Sequence, residues 1–231
     1  MMTKIVDFHS HILPSLDHGC EDIAQSLSQI SLIQNAGTDM VVATSHFYPG
    51  RMSLSDFLDR RESAVSLLLQ NLSEDMPQIA VGAEVHCYPG LENMVGIENL
   101  CIKGTRCMLL EMPLGDWTDA HFETVDALSN DGYTLLMAHI DRYSEYDVDR
   151  LMQLDVQAQV NAVSLCSFLK RRRVKKWFDQ DRVFAIGSDL HGSEAKGYNH
   201  FPKGLSVLGE ETLGCVMSHS ADLLQDAIWL N

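Results

Sequence analysis

At 231 residues with a formal net charge of −15, the chain is long enough to bury one sizeable core and too acidic for a general nucleic-acid binder, which needs a basic surface to displace counterions. No run of about 18 apolar residues exists, so no transmembrane segment is expected; the start lacks the basic and apolar regions of a secretory signal, which makes the cytoplasm the expected compartment. The six cysteines form no C-x-x-C pair and read as reduced thiols in that setting.

The pattern alternates between strand and helix. Met2 to Phe8 reads as a strand that leads into His9 and His11, whose i, i+2 spacing puts both imidazoles on one face. A Pro- and Gly-punctuated loop follows with two more potential ligands, Asp17 and His18. Asp22 caps a helix with Ile23, Leu27, Ile30 and Ile33 on one stripe, closed at Gly37. The apolar strand Asp39 to Thr44 ends in His46, and a helix from about Ser53 to Leu72 comes next. Strand Ile79 to Val85 delivers Glu84 and then His86. Strand Cys107 to Leu110 delivers Glu111. A helix from Thr118 to Ser129 precedes strand Thr134 to Ala138, which delivers His139 and Arg142. After a short helix around Val148, strand Val156 to Val160 delivers Asn161. A helix then carries the basic cluster Lys170 to Arg173 with Lys175 and Lys176, read as a solvated face, with a docking patch as the alternative. Strand Arg182 to Gly187 delivers Asp189 and His191, and a terminal helix is expected from about Glu210 to Trp229.

Seven strands alternating with helices argue a parallel sheet, read here as one α/β domain over residues 1–231. Polar residues stand at all seven strand ends. A closed (β/α) barrel gathers every such end on one rim, whereas an open doubly wound sheet gathers only those near its switch point. The converging set is His9, His11, Asp17 or His18, His46, Glu84, Glu111, His139, Asp189 and His191. Imidazole and carboxylate without thiolate suit Zn, Mn or Fe. Nine groups exceed the needs of one ion and fit two or three. A bridging carboxylate such as Glu111 would hold neighbouring ions roughly 3.5–4 Å apart, a spacing useful for displacement at phosphorus. His86, Phe47, Tyr48 and Tyr143 are secondary candidates for substrate contact. His121, His200 and His219 have no strand-end placement and are read as surface; Trp117, Trp177 and Trp229 are read as packing.

These motifs (DFHSHILPSLDHG, VVATSH, VGAEVH, LLEMP, GYTLLMAHIDRY, QAQVNA and IGSDLH) resemble the PHP (polymerase and histidinol phosphatase) metal-dependent phosphoesterases. More narrowly, the chain resembles their bacterial capsule- and exopolysaccharide-type protein-tyrosine phosphatases. The resemblance implies a distorted (β/α)7 TIM-like barrel with a trinuclear centre, often of manganese, with Zn, Fe or Mg as other occupants. It assigns His9, His11, Glu111 and Asp189 to one ion and Glu84, Glu111 and His139 to a second. His46 and His191 take a third, with a ligand from the first loop. There the relatives read Asp-Asp-Gly and this chain reads Asp17-His18-Gly19; His18 is the assigned ligand and Asp17 the alternative. Where relatives have Pro-Glu-Arg this chain has Ile140-Asp141-Arg142. Arg142 is the implied phosphate clamp and Lys196 the implied second cation.

The activity so implied is hydrolysis of phosphotyrosine by a metal-activated hydroxide. Its substrate would be a phosphotyrosine protein, such as the tail of a tyrosine autokinase that controls polysaccharide synthesis. Phenolate, with a pKa of about 10, leaves more easily than an alkoxide. A cysteine-based phosphatase, which needs a thiolate in a loop of backbone donors followed by Arg, is set aside because no cysteine is read in a C-x5-R frame. The alternatives are a small-molecule phosphatase of histidinol-phosphate type and a metal-binding docking module without turnover.

Overall fold

The computed structural model describes residues 4–192 and 198–231. Its first strand, β1 (Val6–His11), is buried along its whole length, as expected of a parallel strand covered on both faces. The strand therefore runs through the His-x-His pair rather than stopping before it. The second strand path is β2 (Met40–Ala43) continued by β3 (His46–Phe47), and the third is β4 (Gln78–Val81) continued by β5 (Glu84–His86). Next come β6 (Cys107–Glu111), β7 (Thr134–Met137) and β8 (Gln157–Asn161). The last is β9 (Val183–Gly187) continued by β10 (Leu190–His191).

Hydrogen bonding divides these into two parallel ladders, β10-β1-β2-β4 and β3-β5-β6-β7-β8-β9. Because β2/β3, β4/β5 and β9/β10 are single strand paths interrupted by two residues, the ladders join into a seven-stranded ring. It closes where β10 pairs with β1, Ser10 opposite Leu190 and His11 opposite His191. The expected (β/α)7 barrel is what forms, and the interruptions are its distortion. At the break in the third path a Cβ on Gly82 would stand 3.1 Å from Ile102 Cγ1. Beyond it the ladder resumes, the Glu84 amide reaching the carbonyls of Thr44 and Ser45 at 3.2 and 3.1 Å.

The helices wrap the ring: α1 (Ile23–Asn35), α2 (Leu54–Leu69), α3 (Asp119–Asn130), α4 (Glu145–Leu151), α5 (Ala162–Leu165), α6 (Phe168–Asp179), α7 (His200–Ser206) and α8 (Glu210–Leu223). Asp22 caps α1 by accepting from the Gln25 amide, and Ser53 caps α2 by accepting from Asp56. Such caps satisfy amides that the helix itself leaves without partners. On α6 the basic cluster pairs locally, Lys175 with Asp179 and Lys176 with Glu145 and Asp149 on α4.

The terminal helix stops at Leu223, six residues before the expected end. The tail then runs extended: the Ile228 amide donates to Lys103 O at 2.8 Å, the Leu230 amide to Ile79 O at 2.9 Å, and Trp229 bridges Ala80 in antiparallel sense. Peptide groups of β4 that no strand pairs find their partners in this tail, and that requirement outweighs the helical periodicity.

Candidate metal centre

Nine of the expected site residues converge at the C-terminal ends of the strands. His9 and His11 are fully buried, and their Nε2 atoms stand 3.2 Å apart. Glu84 Oε2 lies 3.1 Å from His9 Nε2 and 3.3 Å from His11 Nε2. Asp189 Oδ1 lies 3.5 and 3.4 Å from the same two atoms. The carboxylate inside this quartet is thus Glu84, where the resemblance had put Glu111. Glu111 groups instead with His46 and Glu84, and His139 Nε2 contacts both carboxylates, Glu84 at 2.8 Å and Glu111 at 3.5 Å. A third group is His11, His46 and His191. The His18 ring stacks near His46 and His191, with centroids 4.7 and 4.6 Å away.

Two glycines make this crowding possible. A Cβ on Gly187 would fall 2.4 Å from His9 Cβ, and one on Gly19 would fall 2.5 Å from both His11 Cβ and His11 O. His139 and Asp189 have φ of +33° and +55°, left-handed values that cost non-glycine residues energy and cluster at functional sites.

The first loop separates the roles of Asp17 and His18. Asp17 Oδ2 accepts from the His46 amide at 2.8 Å and stands 2.8 Å from His11 Nδ1, while Oδ1 accepts from the Gly19 amide at 2.9 Å. Both its oxygens are engaged, and its contact with His11 Nδ1 leaves Nε2 as the nitrogen that would ligate an ion. Gln159 does the same for His9, its Oε1 lying 3.2 Å from His9 Nδ1 and 2.6 Å from the His139 amide. His191 Nδ1 points at Asp189 O, 2.9 Å away.

Sequence reasoning missed Gln159, and it took Asn161 as a strand-end residue without a role. Asn161 Nδ2 donates to Asp189 Oδ2 at 3.0 Å and its Oδ1 accepts from Gln159. Asp141 is buried, accepting from the Asn161 amide and the Ser164 hydroxyl. One available signal was the alternation in Gln157-Ala158-Gln159-Val160-Asn161, which points Gln159 and Asn161 to the same face as each other. Arg142 reaches Asp189 with its guanidinium while its side chain stays 44% exposed, so it can turn to a ligand. Lys196 lies outside the described residues.

The donor set fits divalent cations on the structure's own terms. His46 Nδ1 and Glu84 Oε2 stand 2.9 Å apart, yet both, with His191 Nε2, are buried without a hydrogen-bond partner. Lone pairs converging at such distances call for a shared positive charge. Burial works against the Glu84 carboxylate, but His9 and the other imidazoles around it hold its pKa well below the usual range. Burial likewise disfavours a charged His139, but Glu111 and Glu84 raise it to about 9, so without metal a proton offsets the carboxylates. Burial and His11 bring His191 down to about 4, leaving it neutral at pH 7 with Nε2 free to ligate.

Beside the centre a groove of about 630 Å³ is lined by Tyr48, Pro49, Gly50, Arg51, His86 and Tyr88. The Tyr48 hydroxyl reaches Glu111 Oε2 at 3.4 Å, and the Arg51 guanidinium lies 5.0 Å from the Tyr48 ring centroid. Phe47 packs instead against Phe57, and Tyr143 is buried with its hydroxyl on the Met112 backbone.

The cysteine-based route needs one correction. Cys166 to Arg172 does carry C-x5-R spacing. The frame is consumed by α6, which begins at Phe168, and the Cys166 thiol donates to the carbonyls of Ala162 and His200. Among the described residues no ring of N–H donors surrounds the sulfur, so this spacing builds no thiolate site there.

Comparison with known proteins places this geometry. Tyrosine-protein phosphatase YwqE of Bacillus subtilis is 24% identical over 233 residues, covering 95% of this chain and 91% of that protein. Tyrosine-protein phosphatase CpsB of Streptococcus pneumoniae is 26% identical over 215 residues, covering 83% and 85%. A crystal structure from work on YwqE from B. subtilis and CpsB from S. pneumoniae, described as unique metal-dependent tyrosine phosphatases, superposes with a TM-score of 0.76 at 21% identity, covering 97% of this chain and 96% of that one. A TatD-family hydrolase from Entamoeba histolytica shares the fold at a TM-score of 0.58 and 12% identity, covering 96% and 98%. Residues 5–205 match the family described as capsular polysaccharide synthesis, CpsB/CapC, and the chain belongs to that family.

Proposed function

We propose that this chain is a metal-dependent phosphatase that hydrolyses phosphotyrosine in a protein, with three divalent ions, manganese foremost, at the barrel rim. The observation that carries the reading is the buried cluster of imidazole and carboxylate donors whose lone pairs face one another without partners. One ion would lie among His9, His11, Asp189 and a carboxylate shared with the second ion; the distances favour Glu84 in that place over Glu111. The second would take Glu84, Glu111 and His139. The third would take His46, His191 and His18, since Asp17 is already occupied with His11 and two backbone amides. Bound ions of this kind supply activation of water near neutral pH and offset negative charge at phosphorus.

The chain's own residues do the rest. Gln159 and Asp17 hold His9 and His11 in the tautomers that ligate. Arg142, exposed at the rim, would leave Asp189 to clamp phosphate oxygens as charge grows there, and Lys196 is the proposed second cation. The groove of Tyr48, His86, Tyr88 and Arg51 suits a phenol ring next to the centre. The proposed partner is the phosphorylated tail of a tyrosine autokinase governing polysaccharide synthesis, and the proposed compartment is the cytoplasm.

The test compares turnover of a phosphotyrosine peptide and of histidinol phosphate by protein stripped with chelator and refilled with manganese. Manganese-restored preference for the peptide is the expected result. Preference for histidinol phosphate would transfer the centre to small-molecule chemistry, and no turnover of either would leave a docking module.

A further inference from the structure

Away from the rim, at the opposite end of β9, three side chains of different chemistry meet. Asp181 closes the turn between α6 and β9, and Cys215 and His219 stand one turn apart on α8. Cys215 Sγ lies 3.3 Å from Asp181 Oδ1 and 3.4 Å from His219 Nε2, and His219 Nε2 lies 2.9 Å from Asp181 Oδ1. We propose that Asp181, Cys215 and His219 form a second divalent-metal site, of the zinc type, independent of the centre at the rim.

The chemistry of the donors selects the ion. A thiolate, an imidazole and a carboxylate together suit zinc, and three protein ligands leave a fourth position for water. Zinc bonds of about 2.0–2.3 Å at tetrahedral angles set donor atoms roughly 3.3–3.6 Å apart. The three distances already lie within a few tenths of an ångström of that shape. Binding sends the thiol proton to solvent and moves the proton of neutral His219 from Nε2, where it faces Asp181, to Nδ1 through solvent, so Sγ and Nε2 both offer lone pairs.

The cluster is also held in place. The His219 ring stacks on Phe184 of β9, with centroids 4.0 Å apart and planes 10° apart. Asp181 sits at φ +54°, a left-handed conformation that costs a non-glycine residue energy. Cys215 and Asp181 are exposed and His219 is half-buried, so an ion has access. The bond to Asp181 raises the Cys215 thiol above its ordinary pKa, the opposite of what a nucleophilic or redox-sensing cysteine needs.

The position gives the site a consequence. Asp181 and Cys215 are 34 residues apart, and the segment between them carries Asp189 and His191. A metal clip there ties the two ends of that segment together behind the rim.

The thiolate makes the site separable by experiment, because the rim donors are imidazoles and carboxylates alone. Protein filled with manganese is titrated with cobalt(II), and thiolate-to-cobalt charge transfer is read in the near ultraviolet. The band is expected in the parent and in Cys166→Ser, and is expected to vanish in Cys215→Ser, whose fold is checked by circular dichroism and whose phosphatase turnover should stay at the parental level. His219→Gln and Asp181→Asn should weaken zinc by at least the roughly 10- to 100-fold that loss of an outer-shell partner costs. Zinc should slow alkylation of Cys215 by iodoacetamide in the parent and much less in His219→Gln. Absence of the band at saturating cobalt, its persistence in Cys215→Ser, or alkylation indifferent to zinc would reduce the cluster to a hydrogen-bonded staple and overturn the proposal.

Discussion

Replacing Asp17 by Asn tests the division of labour in the first loop. The Asp17 side chain is 5% exposed, and the carboxylate serves His11 Nδ1 at 2.8 Å and the amides of His46 and Gly19 at 2.8 and 2.9 Å. An Asn can keep one oxygen on one amide, but its NH2 faces donors where Oδ2 accepted. Loss of a hydrogen bond to a charged group costs about 1.5–3 kcal/mol, and loss of an outer-shell partner of a metal-bound His costs about 10- to 100-fold in affinity, or roughly 1.4–2.8 kcal/mol. The two estimates agree. Asp17→Asn should therefore need about 10- to 100-fold more manganese for half-maximal turnover, recover most of kcat at saturating metal, and retain the parental number of ions. His18→Ala should lose one ion per chain and not recover. These are read by manganese titration of phosphopeptide turnover and by elemental analysis after desalting. If Asp17→Asn instead loses an ion that excess manganese cannot restore while His18→Ala keeps its full complement, Asp17 is the ligand and the reasoning fails.

Other expectations follow from the same geometry. Arg142→Ala should abolish turnover with metal content near parental; loss of metal would make Arg142 structural through its contact with Asp189. Gly187→Ala forces a Cβ to 2.4 Å from His9 Cβ and should destabilise the fold by about 1–3 kcal/mol, measured by urea denaturation; an unchanged midpoint would refute the close packing. Burial raises the pKa of Asp7 to about 6 against donors at Ser188 and His9. A carboxyl with a raised native pKa binds its proton more tightly when folded, so stability falls as pH rises from about 4 to about 6, by roughly 3 kcal/mol. Metal-free Asp7→Asn should lack that component, gaining on the parent across this window in denaturation series; a constant difference would refute it.

The sequence alone was enough for the barrel and for the donor types that meet at its rim. Strands buried on both faces are largely apolar, so a His, Glu or Asp at the end of six of the seven stands out, and a closed parallel ring has only one rim to bring such ends to. The periodicity of the helices is equally local, which is why Asp22 could be read as a start signal. What remained hidden was whatever depends on distance between segments far apart in the chain. Glu84 rather than Glu111 approaches His9 and His11, a choice between two strand-end carboxylates that no local pattern records. Asp17 and His18 are neighbours that could both ligate, and only the fold brings the His46 and Gly19 amides to the Asp17 carboxylate. Gln159 became a partner of His9 only across 150 positions. The end of α8 was set by unpaired peptide groups on β4, and His219, read as surface, met Asp181 and Cys215 only once α8 had packed on β9. Ligand types are written in residues; which lone pairs converge is decided by packing, because distances fixed to within a few tenths of an ångström between remote segments exist only in the folded chain.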